Sequence, residues 1–90
     1  PNTYEVFCNN QPISLCAKEF EILYLLMKNN KRIYTVEQIY EIVWKENYLE
    51  GDSRTIIVYI SNIRKKIEPD PSNPKYILTV RGVGYKFNSN

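Results

Sequence analysis

The apolar positions of this chain change their spacing several times, and each change predicts a different element. Near the N-terminus Tyr4, Val6 and Cys8 alternate with Glu5 and Phe7, and Asn9-Asn10-Gln11-Pro12 interrupts the run. That pattern predicts two short strands around a polar turn. Over "AKEFEILYLLMKNN" the period lengthens: Phe20, Leu23, Tyr24 and Met27 recur at i, i+3, i+4 and i+7 with Leu26 alongside, and the paired asparagines end the run. This predicts an amphipathic helix. Cys16 takes its N-cap position with Glu19 three residues on, which would be a capping box but for the thiol, a poor substitute for the usual hydroxyl. Arg32-Ile33-Tyr34 predicts a short strand. "TVEQIYEIVW" then opens on Thr35 with Gln38 three residues later, a complete capping box, and Val36, Ile39, Ile42 and Val43 supply the buried side of a second helix. "KENYLEGD" has charge, a glycine and no period, and reads as a loop.

The stretch "SRTIIVYISNIRKKI" sets two signals against each other. Thr55 to Ile60 has the composition of a strand, because β-branched residues are modest helix formers. A half-wet strand should alternate, however, and this run does not. Over the longer window Ile56, Ile60, Ile63 and Ile67 recur at i, i+4, i+7 and i+11, a narrow stripe at about 100° per residue. Propensity differences amount to a few tenths of a kcal/mol per residue, whereas burying each isoleucine contributes roughly 1.5–3 kcal/mol. The stripe decides for a helix over about 53–67. Asp52 or Ser53 is placed to cap its start, and Arg64, Lys65 and Lys66 suit the negative end of its dipole. Its opposite side collects Arg54, Val58, Ser61 and Lys65, flanked by Thr55 and Asn62.

Pro69 and Pro71 close that helix. "KYILTVRGVGYKF" then predicts a β-hairpin whose turn, Arg81-Gly82-Val83-Gly84, has the glycines that positive φ angles favour. No internal repeat or low-complexity tract interrupts this order. The sequence therefore predicts an α+β fold, a winged helix-turn-helix: an N-terminal antiparallel sheet, three helices and a C-terminal β-hairpin wing. Residues 1–90 are expected to form a single winged-helix domain, with N-terminal strands in 1–15, a three-helix core with a short strand in 16–67, and the wing hairpin at 76–87.

Composition narrows the function classes. Ninety residues with 43% hydrophobic content suit one small domain, which buries only about two-thirds of its unfolded surface. The net charge of +2 is unevenly spread. Residues 1–53 hold five basic and eight acidic side chains, net −3, and residues 54–90 hold seven and two, net +5. The C-terminal part is thus a basic surface suited to a polyanion, although charge alone slightly favours a merely solvated face. Two cysteines, Cys8 and Cys16, and no histidine allow one disulfide but no disulfide framework, and are too few ligands for a zinc site. Free, mostly buried thiols in a reducing compartment are expected. No apolar run approaches a membrane span, and nothing in these residues resembles a signal peptide. A start at Pro1 is expected of a fragment or a processed chain. An enzyme is the weakest candidate: no Ser-His or Cys-His pair can form, and "RGVGYK" lacks the spacing and helix of a phosphate loop. No cofactor and no metal are expected.

The third helix has what a major-groove reader needs. Arg54, Thr55, Ser61, Asn62, Arg64 and Lys65 can donate to phosphates, Asn62 can pair with an adenine edge, and Val58 can touch a thymine methyl. A solvated helix explains the same face equally well. The hairpin breaks that tie, because Arg81 protrudes at a tight turn, where an arginine can enter a narrow, negative minor groove.

Taken together, "ISLCAKEFEILYLL", "VEQIYEIVW", "SRTIIVYISNIRKKIE" and "YILTVRGVGYKF" resemble the C-terminal effector domain of the OmpR/PhoB family of bacterial response regulators, in order and spacing, from about Ile13 to Phe87. The resemblance implies a four-stranded N-terminal sheet, three helices and a wing, and a phosphorylatable receiver domain upstream that takes part in a phosphorelay with a cognate sensor kinase. It implies that Thr55, Val58, Tyr59, Ser61, Asn62 and Arg64 meet bases and phosphates, and that Thr79 and Arg81 meet backbone and minor groove. The loop from Trp44 to Asp52 matches the region that touches RNA polymerase in some members; Glu46, Asn47, Tyr48, Glu50 and Asp52 are its contact residues, and Trp44 is expected to anchor it in the core. In the family, two copies lie head to tail as a dimer on tandem direct repeats of double-stranded DNA.

Three positions depart from the family pattern. Cys16 stands where Thr is common, which weakens a cap. Ile57 stands where Asp is common, which removes a possible salt bridge near Arg54 or Arg64. Asn62 stands where many members carry Arg, which predicts an A·T-leaning site, since Arg favours guanine and Asn adenine. The expected function is sequence-specific duplex binding as the transcription-regulating output of a cytoplasmic two-component system. Two alternatives stand beside it: a winged helix used for protein contact, and a DNA-binding domain attached to something other than a receiver, such as a membrane anchor.

Overall fold

The structure is a computed structural model that describes residues 3–8 and 11–89. Strands β1 (Thr3–Cys8) and β2 (Gln11–Cys16) pair antiparallel, with Tyr4 opposite Leu15 and Val6 opposite Ile13. Helices α1 (Ala17–Lys28), α2 (Val36–Trp44) and α3 (Asp52–Ile67) follow, and β3 (Ile77–Val80) pairs antiparallel with β4 (Gly84–Phe87). The turn expected at Asn9-Asn10 and the Cys8 thiol lie outside the described residues. Cys16 is free and half-buried. Where four N-terminal strands were implied, two are present among the described residues.

Local chemistry explains the helix boundaries. In α1 the Glu19 carboxylate accepts from the Cys16 backbone N–H at 3.0 Å, and the Asn29 side-chain amide donates to the Leu25 carbonyl at 2.9 Å beyond the other end. The predicted box of α2 is complete. Gln38 N–H donates to Thr35 Oγ1 at 3.0 Å, and Thr35 N–H donates to Gln38 Oε1 at 2.9 Å. The α2 helix stops at Lys45, left-handed at φ +60°, and the Lys18 ammonium donates to the Val43 carbonyl at 3.1 Å, satisfying one of its orphan acceptors. Helix α3 starts differently from expectation. Its N-cap is Gly51 at φ +99°, so neither Asp52 nor Ser53 is the cap. Asp52 is already helical, and its carboxylate reaches back to accept from the Leu49 N–H at 2.8 Å.

The core is built from five elements: Leu15 of β2, Ile22 and Leu26 of α1, Ile39 of α2, Ile56, Ile60 and Ile63 of α3, and Ile77 of β3 are fully buried. The isoleucine stripe of α3 lies where its spacing put it. The buried faces of the first two helices do so only in part: Leu23, Leu26, Ile39 and Val43 are buried as expected. In α1 the buried positions are Glu19, Ile22, Leu23 and Leu26, while Tyr24 and Met27 are exposed. In α2 Tyr40 is buried and Ile42 is exposed. The result is a shallow apolar groove between α1 and α2, lined by Phe20, Tyr24, Leu25, Ile42 and Val43.

The strand predicted at Arg32–Tyr34 shortens to one bridge, in which Tyr34 and Tyr85 exchange backbone hydrogen bonds at 2.8 and 2.9 Å. That bridge fastens the hairpin to the helical core. It requires Gly84, because a Cβ there would run into the Tyr34 carbonyl. The hairpin turn closes through Val83 N–H to the Val80 carbonyl at 2.9 Å, with Gly82 at φ +74°, the sign a type II turn demands at that place.

Candidate nucleic-acid interface

The outer face of α3 follows from its inner one. With Ile56, Ile60, Ile63 and Ile67 turned inward, Arg54, Val58, Ser61 and Lys65 are all exposed on the other side. Steps of four, three and four residues align them in one row along the helix. A cation stands at each end of the row, and short uncharged side chains lie between. Thr55 and Asn62 flank it, each half-buried. Ile57, which was not among the residues expected to meet DNA, is 52% exposed, as open to solvent as Val58 at 50%.

Other predicted residues are engaged within the protein. Tyr59 faces α2: its ring meets Trp44 edge-on at 5.3 Å. Burial, with the nearby Cys16 and Glu19 adding to it, raises the Tyr59 phenol pKa, so the hydroxyl stays protonated. Arg64 turns to the hairpin. Its Nε and Nη2 donate to the Ile77 carbonyl at 3.2 and 2.8 Å, Nη2 donates to Thr79 Oγ1 at 2.8 Å, and the guanidinium lies 5.6 Å from the Tyr85 ring centre. Two residues expected to meet DNA therefore meet each other, and in doing so they tie the wing to the third helix. Lys66 is likewise drawn away, to a 2.7 Å ion pair with the buried Glu19. Of the basic triple at the end of α3, Lys65 faces outward. Arg81 is exposed in the wing turn.

Glu68 was not singled out from the sequence. Its buried carboxylate accepts backbone N–H bonds from Lys75 at 2.9 Å, Tyr76 at 3.1 Å and Ile77 at 2.8 Å. It thereby folds the loop after α3 and sets where β3 begins. One signal was available: an acid directly after Arg64-Lys65-Lys66 opposes the helix dipole, so it needs another purpose.

The loop between α2 and α3 presents Glu46, Asn47 and Glu50 to solvent, with Leu49 67% exposed. Tyr48 is held by its N–H to the Glu41 carboxylate at 3.0 Å and by its ring, edge-on to Tyr40 at 6.0 Å. Trp44 stacks on Tyr40 at 5.1 Å and packs against the core. Burial, reinforced by the Asp52 and Glu46 carboxylates, raises the Tyr40 phenol pKa. Among the described residues no group of three acid, cysteine or histidine side chains is placed to hold a metal ion, and no helix is long and apolar enough to cross a membrane.

Known proteins share this arrangement. The family described as "Transcriptional regulatory protein, C terminal" matches residues 10–87. The sensory transduction protein RegX3 of Mycolicibacterium smegmatis is 46% identical over 82 residues, covering 91% of this chain and 36% of RegX3. The chain thus spans about a third of the length of that relative. The crystal structure of response regulator DrrB, an OmpR/PhoB homologue from Thermotoga maritima, superposes with a TM-score of 0.84 at 36% identity, covering 99% of this chain and 42% of DrrB. The Klebsiella pneumoniae RstA DNA-binding domain, solved in complex with the RstA box, gives a TM-score of 0.85 at 27% identity, covering 96% of this chain and 84% of that one. This family is one of transcriptional regulators and not an enzyme class. On the match of residues 10–87 and the shared winged-helix fold, the chain belongs to the OmpR/PhoB-type DNA-binding C-terminal domains of response regulators.

Proposed function

We propose that this domain binds duplex DNA with α3 in the major groove and the Arg81 turn in the adjacent minor groove. The observation that carries this reading is the uncovered row Arg54, Val58, Ser61 and Lys65, on a helix whose other face is wholly buried. The Arg64 contacts to Ile77 and Thr79 support it further, because they fix the wing relative to that row. Arg54 and Lys65 neutralise phosphates, Thr55 and Ser61 add neutral donors, and Asn62 reads an adenine edge. Tyr59, Arg64 and Thr79 act chiefly by holding this surface in shape. The solved complex of RstA with the RstA box is consistent with such a docking.

Two copies on direct repeats supply the affinity that one small domain lacks. The exposed acids Glu46 and Glu50, with Asn47, Tyr48 and Asp52 shaping the loop, offer a contact for a basic patch on RNA polymerase. In the full-length cytoplasmic protein an upstream receiver domain governs the pairing of copies, as the lengths of RegX3 and DrrB suggest.

Selection of bound duplexes from a random pool at two salt concentrations tests this directly. A short motif repeated about one helical turn apart is expected, with affinity falling at a log–log slope of roughly −0.9 per phosphate neutralised. Asn62→Ala is expected to relax preference at one A·T position. Recovery of no motif, with binding lost at moderate salt, would defeat sequence-specific recognition and leave a basic surface for protein contact.

A further inference from the structure

Ile57 and Val58 are anomalous on their face of α3. Both are half exposed, at 52% and 50%, although the buried stripe does not need them. Isoleucine and valine are poor choices for a solvated helix surface, where straight-chain polar residues lose less side-chain freedom. They adjoin each other in the first half of the helix, bounded by Arg54 on one side and Ser61 on the other. Ile57 precedes Arg64 by two turns, so it lies on the flank that Arg64 turns toward the wing. The wing covers that flank at Arg64 and leaves it open at Ile57.

In a helix-turn-helix the first half of the recognition helix meets base edges. The apolar feature of the major groove is the thymine C5-methyl group. Resting on the docking proposed above, we infer that Ile57 and Val58 together form a methyl-reading patch that selects thymine at neighbouring positions of the site, with Ile57 as a specificity-determining residue in its own right. The side chains have no hydrogen-bonding group, so they read neither the acceptor pattern of guanine nor the amino group of cytosine. They discriminate by packing alone. An aspartate at position 57 would instead accept from a cytosine amino group, so the isoleucine changes what is read and does more than remove a charge.

Replacing thymine by deoxyuridine, one position at a time in the selected site, isolates this effect. The exchange deletes the methyl group and leaves every hydrogen-bonding edge and every phosphate in place. For the unaltered domain, binding is expected to weaken roughly four-fold at each thymine so read, the equivalent of one buried methyl group, with an unchanged salt slope. In Ile57→Ala one such position becomes indifferent to the exchange, and in Val58→Ala another does; both residues are exposed, so neither change disturbs the core. Sequence-specific binding that ignores deoxyuridine everywhere overturns the methyl patch while leaving the docking intact. A methyl effect that survives Ile57→Ala at every position overturns the role of Ile57. Absence of any sequence-specific binding overturns the docking itself.

Discussion

Helices α1 and α3 are both amphipathic, yet their spacing is informative to different degrees. In α3 the apolar residues that matter are four isoleucines among Arg, Ser, Asn and Lys, and all four are buried. In α1 seven of the eight residues from Phe20 to Met27 are apolar. Almost any stripe can be drawn through such a run, and the one drawn through Phe20, Leu23, Tyr24 and Met27 lies one residue, about 100°, from the buried face. The true face is marked by a charged residue. Glu19 lies at its head because Lys66 and the Cys16 N–H await its carboxylate there. Periodicity locates a face only when polar residues are frequent enough to exclude the others.

The largest expected effect tests that contrast. Ile60→Ala removes a fully buried side chain from the centre of the core and is expected to cost about 2–5 kcal/mol of unfolding free energy. Tyr24→Ala, equally drastic in size, is expected to stay within about 0.5 kcal/mol, since a surface substitution of this kind leaves no cavity. Urea denaturation of both variants measures the difference. Comparable losses would return Tyr24 to the core and undo the assignment of the exposed groove beside Ile42.

Much of the fold was legible because its signals are short-range. The Thr35–Gln38 box spans three residues, the isoleucine stripe lies within one helix, and the wing turn is written in Gly82. The uncovered row on α3 followed from that stripe by subtraction. What was not legible depends on partners far apart in the chain. Glu19 and Lys66 are 47 residues apart, and Arg64 reaches Thr79 across 15. A local reading assigns Arg64 to a polyanion and Lys66 to the helix dipole, although the fold has already engaged both. The strand at Arg32–Tyr34 contracted for a related reason: its one pairing partner, Tyr85, lies in the wing.

The C-terminal junction of α3 sharpens the comparison, because there a buried acid organises backbone instead of a helix face. Glu68→Ala strands the N–H groups of Lys75, Tyr76 and Ile77, the last of these at a fully buried residue. An unsatisfied buried donor costs about 1–3 kcal/mol, and the loop can turn part of this backbone to water, so a loss of roughly that size is expected for the whole cluster. Hydrogen exchange is the better measurement. Protection should fall first at residues 75–77 and in the wing, before α1 responds. Uniform loss of protection across the domain would show that Glu68 serves global stability alone.

The acid at the head of α1 gives the smallest effect, and one with a sign in pH. Burial acts to raise the Glu19 pKa, but the hydrogen bond and charge of Lys66 and the Cys16 N–H outweigh it, leaving the group below its ordinary value of 4.5. A carboxylate whose pKa is lower when folded binds its proton more readily when unfolded. Its contribution to stability is therefore complete above pH 4.5 and is lost as the pH falls through the depressed folded value. Glu19→Gln keeps an acceptor for Cys16 and removes the charge. Because Lys66 is more than a third exposed and solvent screens the pair, the neutral-pH cost is expected at about 1 kcal/mol or less. As the pH falls from 4.5 through the depressed folded value the variant and the parent should converge, because over that window the parent loses what the variant never had. Denaturation midpoints that stay equally far apart from neutral pH to strong acid would mean that Glu19 acts through its shape and not its charge, and the buried face of α1 would then be set by packing in the same way as that of α3.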